Sequence, residues 1–330
     1  MKIIFNLIGC SLGPNGGSST IVKSANTLID LGHEVFVIDS CKNNHTWTKL
    51  KAKHMVLKHL SDAPSADVII ATGYKTVYST VDAPERCGKK AHWIRGWETW
   101  QMSEEKIINN VLKAPTIKMV NGIGLQKKLE KYGISSRVIR PGYDFDEIYP
   151  MGIRENNSSV VLGGLCNFRH KTKRTDWIYE VYKRLKRKYN VELHLFGTEK
   201  DPRIKADRYL RNPTTEMKND FYNRCDIWLA PTHNEGLHMP PAEAMMTECP
   251  VVGTDAEMSG MEDYLIDGIT GLIAKNNLDQ FSRVVSHLVT NGYLRTVLGA
   301  QAKLQISSIG NRSLNMKIMV DFLQYENIQY

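Results

Sequence analysis

Residues 232–252 read THNEGLHMPPAEAMMTECPVV, with Glu235 and Glu243 eight positions apart and Pro240 and Pro241 between them. An ionised carboxylate only accepts hydrogen bonds, and it can take two hydroxyls at once. Two such groups at one end of a strand suit a polyhydroxylated ligand, one for a ribose diol and one for a sugar ring. The preceding apolar run DIWLAP reads as that strand. The prolines suit the start of a helix, where a missing N–H costs nothing. This puts Glu243 in the helix's first turn and Glu235 in the loop before it. The helix N-terminus supplies free N–H groups and positive potential for a phosphate. A nucleoside-diphosphate sugar presents all three features. The plainer alternative is that Glu243 only complements the helix dipole and Glu235 is a solvated loop residue.

The elements that must position these groups alternate along the chain. KIIFNLI, HEVFVID, ADVIIATG, KKAHWIRG and TIKMVNG read as strands, and SSTIVKSANTLIDLG as an amphipathic helix stopped at Gly32. IGLQKKLEKYG reads as helix, and SSRVIRPGYD as a strand running into a turn. After the polar stretch DEIYPMGIRENNSS the pattern restarts with VVLGG, a helix TDWIYEVYKRLKRKY, and the strands VELHLFG, DIWLAP, PVVGT and GLIA. Such alternation predicts doubly wound parallel sheets, with ligands beyond the carboxyl ends of the strands. The expected plan is α/β, two Rossmann-like doubly wound domains facing a cleft. Residues 1–150 form the first domain and residues 151–312 the second. Residues 313–330 form a C-terminal helix returning to the first domain.

Composition bounds the class. Of 330 residues, 42% are hydrophobic and 24% charged, as a packed globular protein requires. No apolar run approaches the ~18 residues of a membrane span, and MKIIFNLIGC reads as a buried strand rather than a signal peptide. The six cysteines are scattered with no CxxC pair, which fits reduced thiols in a cytoplasmic protein. The net charge of +8 is uneven: 20 basic against 14 acidic residues up to Pro150, and 23 against 21 beyond it. A basic first half suits an anionic partner such as lipid phosphate, an acidic glycan or nucleic acid, or solubility alone.

EGLHMPPAEAM…CPVV resembles the E-x7-E signature of the family 4 glycosyltransferases, retaining enzymes of the GT-B fold. The likeness runs along nearly the whole chain. GPNGGSSTIVKSANTLIDLGHEVFVI is similar to that family's opening, and VIRPGYDFDEIYP to its link into the second domain. YNRCDIWLAPTHNEG and DYLIDGITGLIA are similar to segments around its donor site. The resemblance implies that Glu243 binds the donor's ribose hydroxyls and Glu235 the transferred sugar. The N–H groups of Gly236 and Leu237 would meet sugar hydroxyls or phosphate. Gly16 and Gly17 would let backbone approach the donor phosphates. The family's arginine position falls near Leu165, so Arg169 and Lys173, with Lys171 beside them, are the candidates for the pyrophosphate.

On the acceptor side the family often has a histidine. Here His92 falls inside a strand, so Arg95 or Glu98 would reach the ligand, with Trp93, Trp97 and Trp100 as stacking surfaces or core. Of these, Arg95, Trp97 and Glu98 are the acceptor-side candidates. The only D-x-D, Asp144–Asp146, lies in the interdomain link and is not read as a manganese site. The implied activity is a metal-independent, retaining transfer from a UDP- or GDP-sugar to a glycan or lipid-linked saccharide. It needs no cofactor and no transmembrane segment, in a cytoplasmic protein that could sit peripherally at a membrane. Two other readings stand beside it: the same chemistry on a modified base in DNA, and a non-catalytic sugar-nucleotide-binding subunit.

Overall fold

The computed structural model describes residues 1–13, 15–41, 48–99, 101–153 and 159–325. Trp100 and residues 154–158 of the expected linker lie outside them. The chain divides into two compact units, one of Met1–Gly142 with residues from Asn311 onward, the other of Tyr143–Gly310.

The first unit holds a parallel sheet of seven strands: β1 (Lys2–Leu7), β2 (Glu34–Asp39), β3 (Lys53–Val56), β4 (Val68–Ala71), β5 (Lys89–Ile94), β6 (Ile117–Val120) and β7 (Arg137–Val138). Their spatial order is β3-β2-β1-β4-β5-β6-β7. β1, β2 and β4 carry the apolar runs IIF, VFVI and VIIA, as strands covered on both faces do. The helix Gly16–Asp30 starts at Asn15, whose side chain accepts the Ser18 N–H, and it buries Ile21, Val22, Ala25 and Leu28. The C-terminal helix Arg312–Tyr325 adds Met316, Met319, Val320 and Leu323 to that same core, at helical spacing.

The second unit holds a parallel sheet of six strands: β8 (Val160–Cys166), β9 (Val191–Gly197), β10 (Arg208–Arg211), β11 (Ile227–Ala230), β12 (Val251–Thr254) and β13 (Gly271–Ala274). Their order is β10-β9-β8-β11-β12-β13. The aromatic rings of Phe196, Phe221, Tyr222 and Trp228 pack together under one face.

Both sheets reverse direction of winding beside their first strand, between β1 and β4 and between β8 and β11. Such a reversal opens a crevice at the strands' carboxyl ends. Two strands were not anticipated, β3 (KHMV) and β10 (RYLR). Both are partly exposed sheet edges without an apolar run. Among the described residues, no helix is long and apolar enough to cross a membrane.

Candidate active site

In the second unit, the loops that leave β8 and β11 carry the candidate chemistry. The strands are adjacent and in register, Leu229 beside Gly164, so the two loops emerge side by side. Lys173, from the first loop, places Nζ 2.9 Å from Oε1 of Glu235, from the second. Their side chains are 15% and 18% exposed, so water screens the pair only in part. Thr172 Oγ1 donates to the same oxygen at 3.4 Å.

A third loop holds Glu235 in place. The N–H groups of Asn234, Glu235 and His238 donate to the carbonyls of Glu257, Met258 and Gly260 at 3.3, 2.7 and 2.8 Å. Gly260 has φ +77°, and a Cβ there would stand 2.6 Å from Glu235 Cβ. Only glycine fits that position. Between these tethers, the N–H groups of Gly236 and Leu237 have no partner among the described residues. Protein interiors rarely leave such donors unpaired. Here they stand beside a carboxylate–ammonium pair and just before the helix Met239–Met246.

His238 completes the loop. Thr232 Oγ1 donates its hydrogen to Ser259 O at 2.9 Å, so the contact of His238 Nδ1 with Thr232 Oγ1 at 3.2 Å requires Nδ1 to be the donor. Nε2 is therefore a bare acceptor, buried and unpartnered among the described residues. Burial first, then the positive charge of Lys173, hold the ring neutral far below the usual histidine range.

Glu243 lies in the second turn of its helix, and the first turn holds no acidic residue. This corrects the expected first-turn position and removes dipole complementation as its reason for being there. The helix begins at Met239, one residue ahead of the prolines. The carboxylate accepts the Tyr222 hydroxyl at 2.7 Å and has Lys218 Nζ at 3.7 Å. Tyr222 is fully buried; burial first and then the Glu243 charge raise its pKa well above the usual tyrosine range, so it stays a donor. Tyr222 and Lys218 went unread in the sequence. The only signal is their position on the helix preceding β11.

The basic loop sorts its members. Arg169 and Lys171 have exposed side chains, whereas Lys173 is half-buried against Glu235. Arg174 donates to Pro231 O and Asn276 Oδ1 and lies over the Trp177 ring at 4.3 Å, so it acts as a structural clasp.

In the first unit, Gly16 and Gly17 open the helix Gly16–Asp30, and the space beside Gly16 is open. Arg95 does not stand free for a ligand. Its Nη1 donates to Gly17 O at 2.5 Å and its Nη2 to Thr72 O at 2.6 Å, tying the glycine pair to the end of β4. Its Nε is buried without a partner among the described residues. Glu98 accepts the Tyr74 N–H at 2.5 Å, and burial raises its pKa despite that bond and the nearby Arg95 charge. Trp97 is 5% exposed, stacked on Tyr132 and donating to Glu104 at 3.0 Å. It serves as packing and leaves no face for a sugar. Trp93 is core, its indole N–H on Ile139 O at 3.0 Å. His92 lies within β5 as expected, 2% exposed. Among the described residues, no group of three His, Cys, Asp or Glu side chains is placed to hold a metal ion.

Residues 159–291, which include Lys173, Glu235 and Glu243, match the family described as Glycosyl transferases group 1. The capsular polysaccharide biosynthesis glycosyltransferase CapM of Staphylococcus aureus is 28% identical over 131 residues, 36% of this chain and 34% of that protein. The match thus spans about a third of that relative's length. Sucrose-phosphate synthase of Thermosynechococcus elongatus superposes with a TM-score of 0.81 at 12% identity, covering 98% of both chains. HepE of Anabaena, solved in complex with UDP and glucose, does so with 0.81 at 14% identity, covering 99% of this chain and 100% of its own. At these identities the likeness establishes the fold: two parallel-sheet units of Rossmann-like character, as in the GT-B glycosyltransferases.

Proposed function

We propose that the chain is a retaining glycosyltransferase, moving a sugar from a UDP- or GDP-sugar to a hydroxyl of a glycan or lipid-linked saccharide. One observation carries this reading. The half-buried Lys173–Glu235 pair adjoins two unpaired backbone N–H groups at a helix start, within the segment that matches a glycosyltransferase family. The UDP and glucose of the HepE complex and the glycosyltransferase name of CapM support the same donor class.

In this reading Glu243, oriented by Tyr222 and Lys218, takes the ribose diol. Glu235 takes hydroxyls of the transferred sugar. Lys173, Arg169 and Lys171 hold the diphosphate together with the Gly236 and Leu237 N–H groups. In the first unit, the helix start at Gly16 and Gly17 is the candidate for an anion and Glu98 for an acceptor hydroxyl.

The donor's C1–O bond breaks with its electron pair leaving on the diphosphate. C1 bonds to the acceptor oxygen on the same face, and the acceptor's proton passes to a phosphate oxygen. The products are the nucleoside diphosphate and a glycoside. Fixed cations and N–H dipoles stabilise the charge that develops on the leaving group, so EDTA is expected to leave the rate unchanged.

A panel of UDP-, GDP- and ADP-sugars tested for thermal stabilisation identifies the donor, because a ligand that binds only the folded chain raises its melting point. NMR of the first-formed product then reads its anomeric configuration. Retention is expected, and inversion overturns the mechanism. Transfer that survives in Glu235→Ala would remove Glu235 from its role, and a chain that binds the donor but never transfers would be a binding subunit instead.

A further inference from the structure

We infer that Glu199 is a positioning residue for the basic loop after β8; the inference rests on the donor-site reading above. In the sequence, Glu199 sits in FGTEKD and looks like a solvated loop acid. In the structure it is 7% exposed. Its Oε1 accepts two consecutive backbone N–H groups of that loop, Phe168 at 2.5 Å and Arg169 at 3.2 Å.

The strand register explains the contact. β8 and β9 run parallel with Cys166 beside Gly197, so their loops leave the sheet in step. Glu199 and Phe168, each two residues further on, then face one another. The strands end too close for any side chain at Gly197, where a Cβ would stand 2.2 Å from Cys166 O.

The far end of the loop is held separately. His233 N donates to Thr172 O at 3.1 Å, and Lys173 pairs with Glu235. Inside the loop, Thr175 Oγ1 accepts the Asn167 N–H at 2.9 Å and Asn167 Oδ1 accepts that of His170 at 3.1 Å. Glu199 therefore sets where the loop starts, and Thr172 where it ends. Glu199 Oε1 is spent on backbone, and in this reading Glu199 touches no reacting atom. It acts through the cations that meet the diphosphate.

The test is isothermal titration of the full chain with UDP and with uridine, or with GDP and guanosine if the donor panel selects guanine. Glu199→Ala is expected to weaken the diphosphate at least tenfold and the nucleoside less than twofold. Glu199→Gln keeps an acceptor oxygen in place and should stay within threefold of wild type for both. A merely structural strap would lower the melting temperature and weaken both ligands in parallel; that result, or unchanged diphosphate binding, overturns the inference. If Glu199→Ala does not fold, Glu199→Asp serves. It keeps the charge but withdraws the oxygen by one methylene, and a wild-type diphosphate-to-nucleoside affinity ratio there is equally fatal. If the wild-type chain binds no nucleoside diphosphate at all, the donor-site reading itself falls, and the inference with it.

Discussion

Lys173 Nζ and Glu235 Oε1 are 2.9 Å apart, and both side chains are less than one-fifth exposed. The two groups proposed to meet the donor's diphosphate and its sugar thus neutralise each other in the structure. Removing either one leaves its partner as a half-buried, unpaired charge, which costs more than the pair contributes when intact. Lys173→Met and Glu235→Gln should each lower stability by about 1–3 kcal/mol, and the double variant by clearly less than their sum. Urea unfolding of the four proteins checks this. Additive losses would mean that the two side chains are uncoupled in solution.

The Tyr222 hydroxyl donates to Glu243 at 2.7 Å from a fully buried ring. A hydrogen bond to a charged group is worth about 1.5–3 kcal/mol. With Tyr222→Phe, Glu243 keeps only the more distant Lys218 and loses its fixed orientation. Nucleotide affinity should fall roughly 10- to 150-fold, since each 1.4 kcal/mol is tenfold. Affinity for a sugar without its nucleoside should not change. Titration with a nucleoside diphosphate and with the free sugar distinguishes these outcomes.

The strands were legible in the sequence where burial on both faces leaves three or four apolar residues in a row, as in β1, β2 and β4. The edge strands β3 and β10, KHMV and RYLR, carry no such mark. The placement of Glu235 in the loop and of Glu243 in the helix after it was legible because strand, loop, proline and helix are local events. Their partners were not. Lys173 reaches Glu235 from 62 positions earlier in the chain, across a strand pairing. Arg95 looked free for a ligand, yet it spends its guanidinium on the carbonyls of Gly17 and Thr72, 78 and 23 residues away. Trp97 looked like a sugar platform until Tyr132 and Lys128 covered it. Nothing in a local pattern announces such contacts, because they depend on which strands become neighbours.

His92 gives the acid limb of stability a definite sign. Burial first, then the charges of Lys118 and Arg95, lower its pKa from 6.5 to about 3 in the folded chain. Between those values the unfolded chain binds a proton that the folded chain does not. Stability from this group is complete above pH 6.5 and falls by about 1.4 kcal/mol per pH unit below it, down to about pH 3. His238, also held neutral by burial, adds a loss of the same sign below pH 6.5. Denaturant midpoints measured between pH 7.5 and 5 should therefore drop steeply, and His92→Gln should flatten the slope. An unchanged slope in that variant would mean that His92 titrates normally in the folded chain.

Gly260 tests whether the Glu235 loop must keep its shape for donor binding. At φ +77° an alanine carries a left-handed backbone cost of about 1–2 kcal/mol. Its Cβ would also stand 2.6 Å from Glu235 Cβ and 2.9 Å from His238 N, closer than such atoms can approach. The loop must move, and with it the Gly236 and Leu237 N–H groups. Gly260→Ala should lower stability by about 2–4 kcal/mol and abolish nucleotide-sugar binding at concentrations that saturate the wild type. Alanine at Gly268, which also has positive φ (+71°) but nothing within 4 Å of its Cβ, controls for backbone strain alone. It should cost stability and spare binding. If Gly260→Ala binds donor like the Gly268 control, the geometry of this loop does not govern recognition.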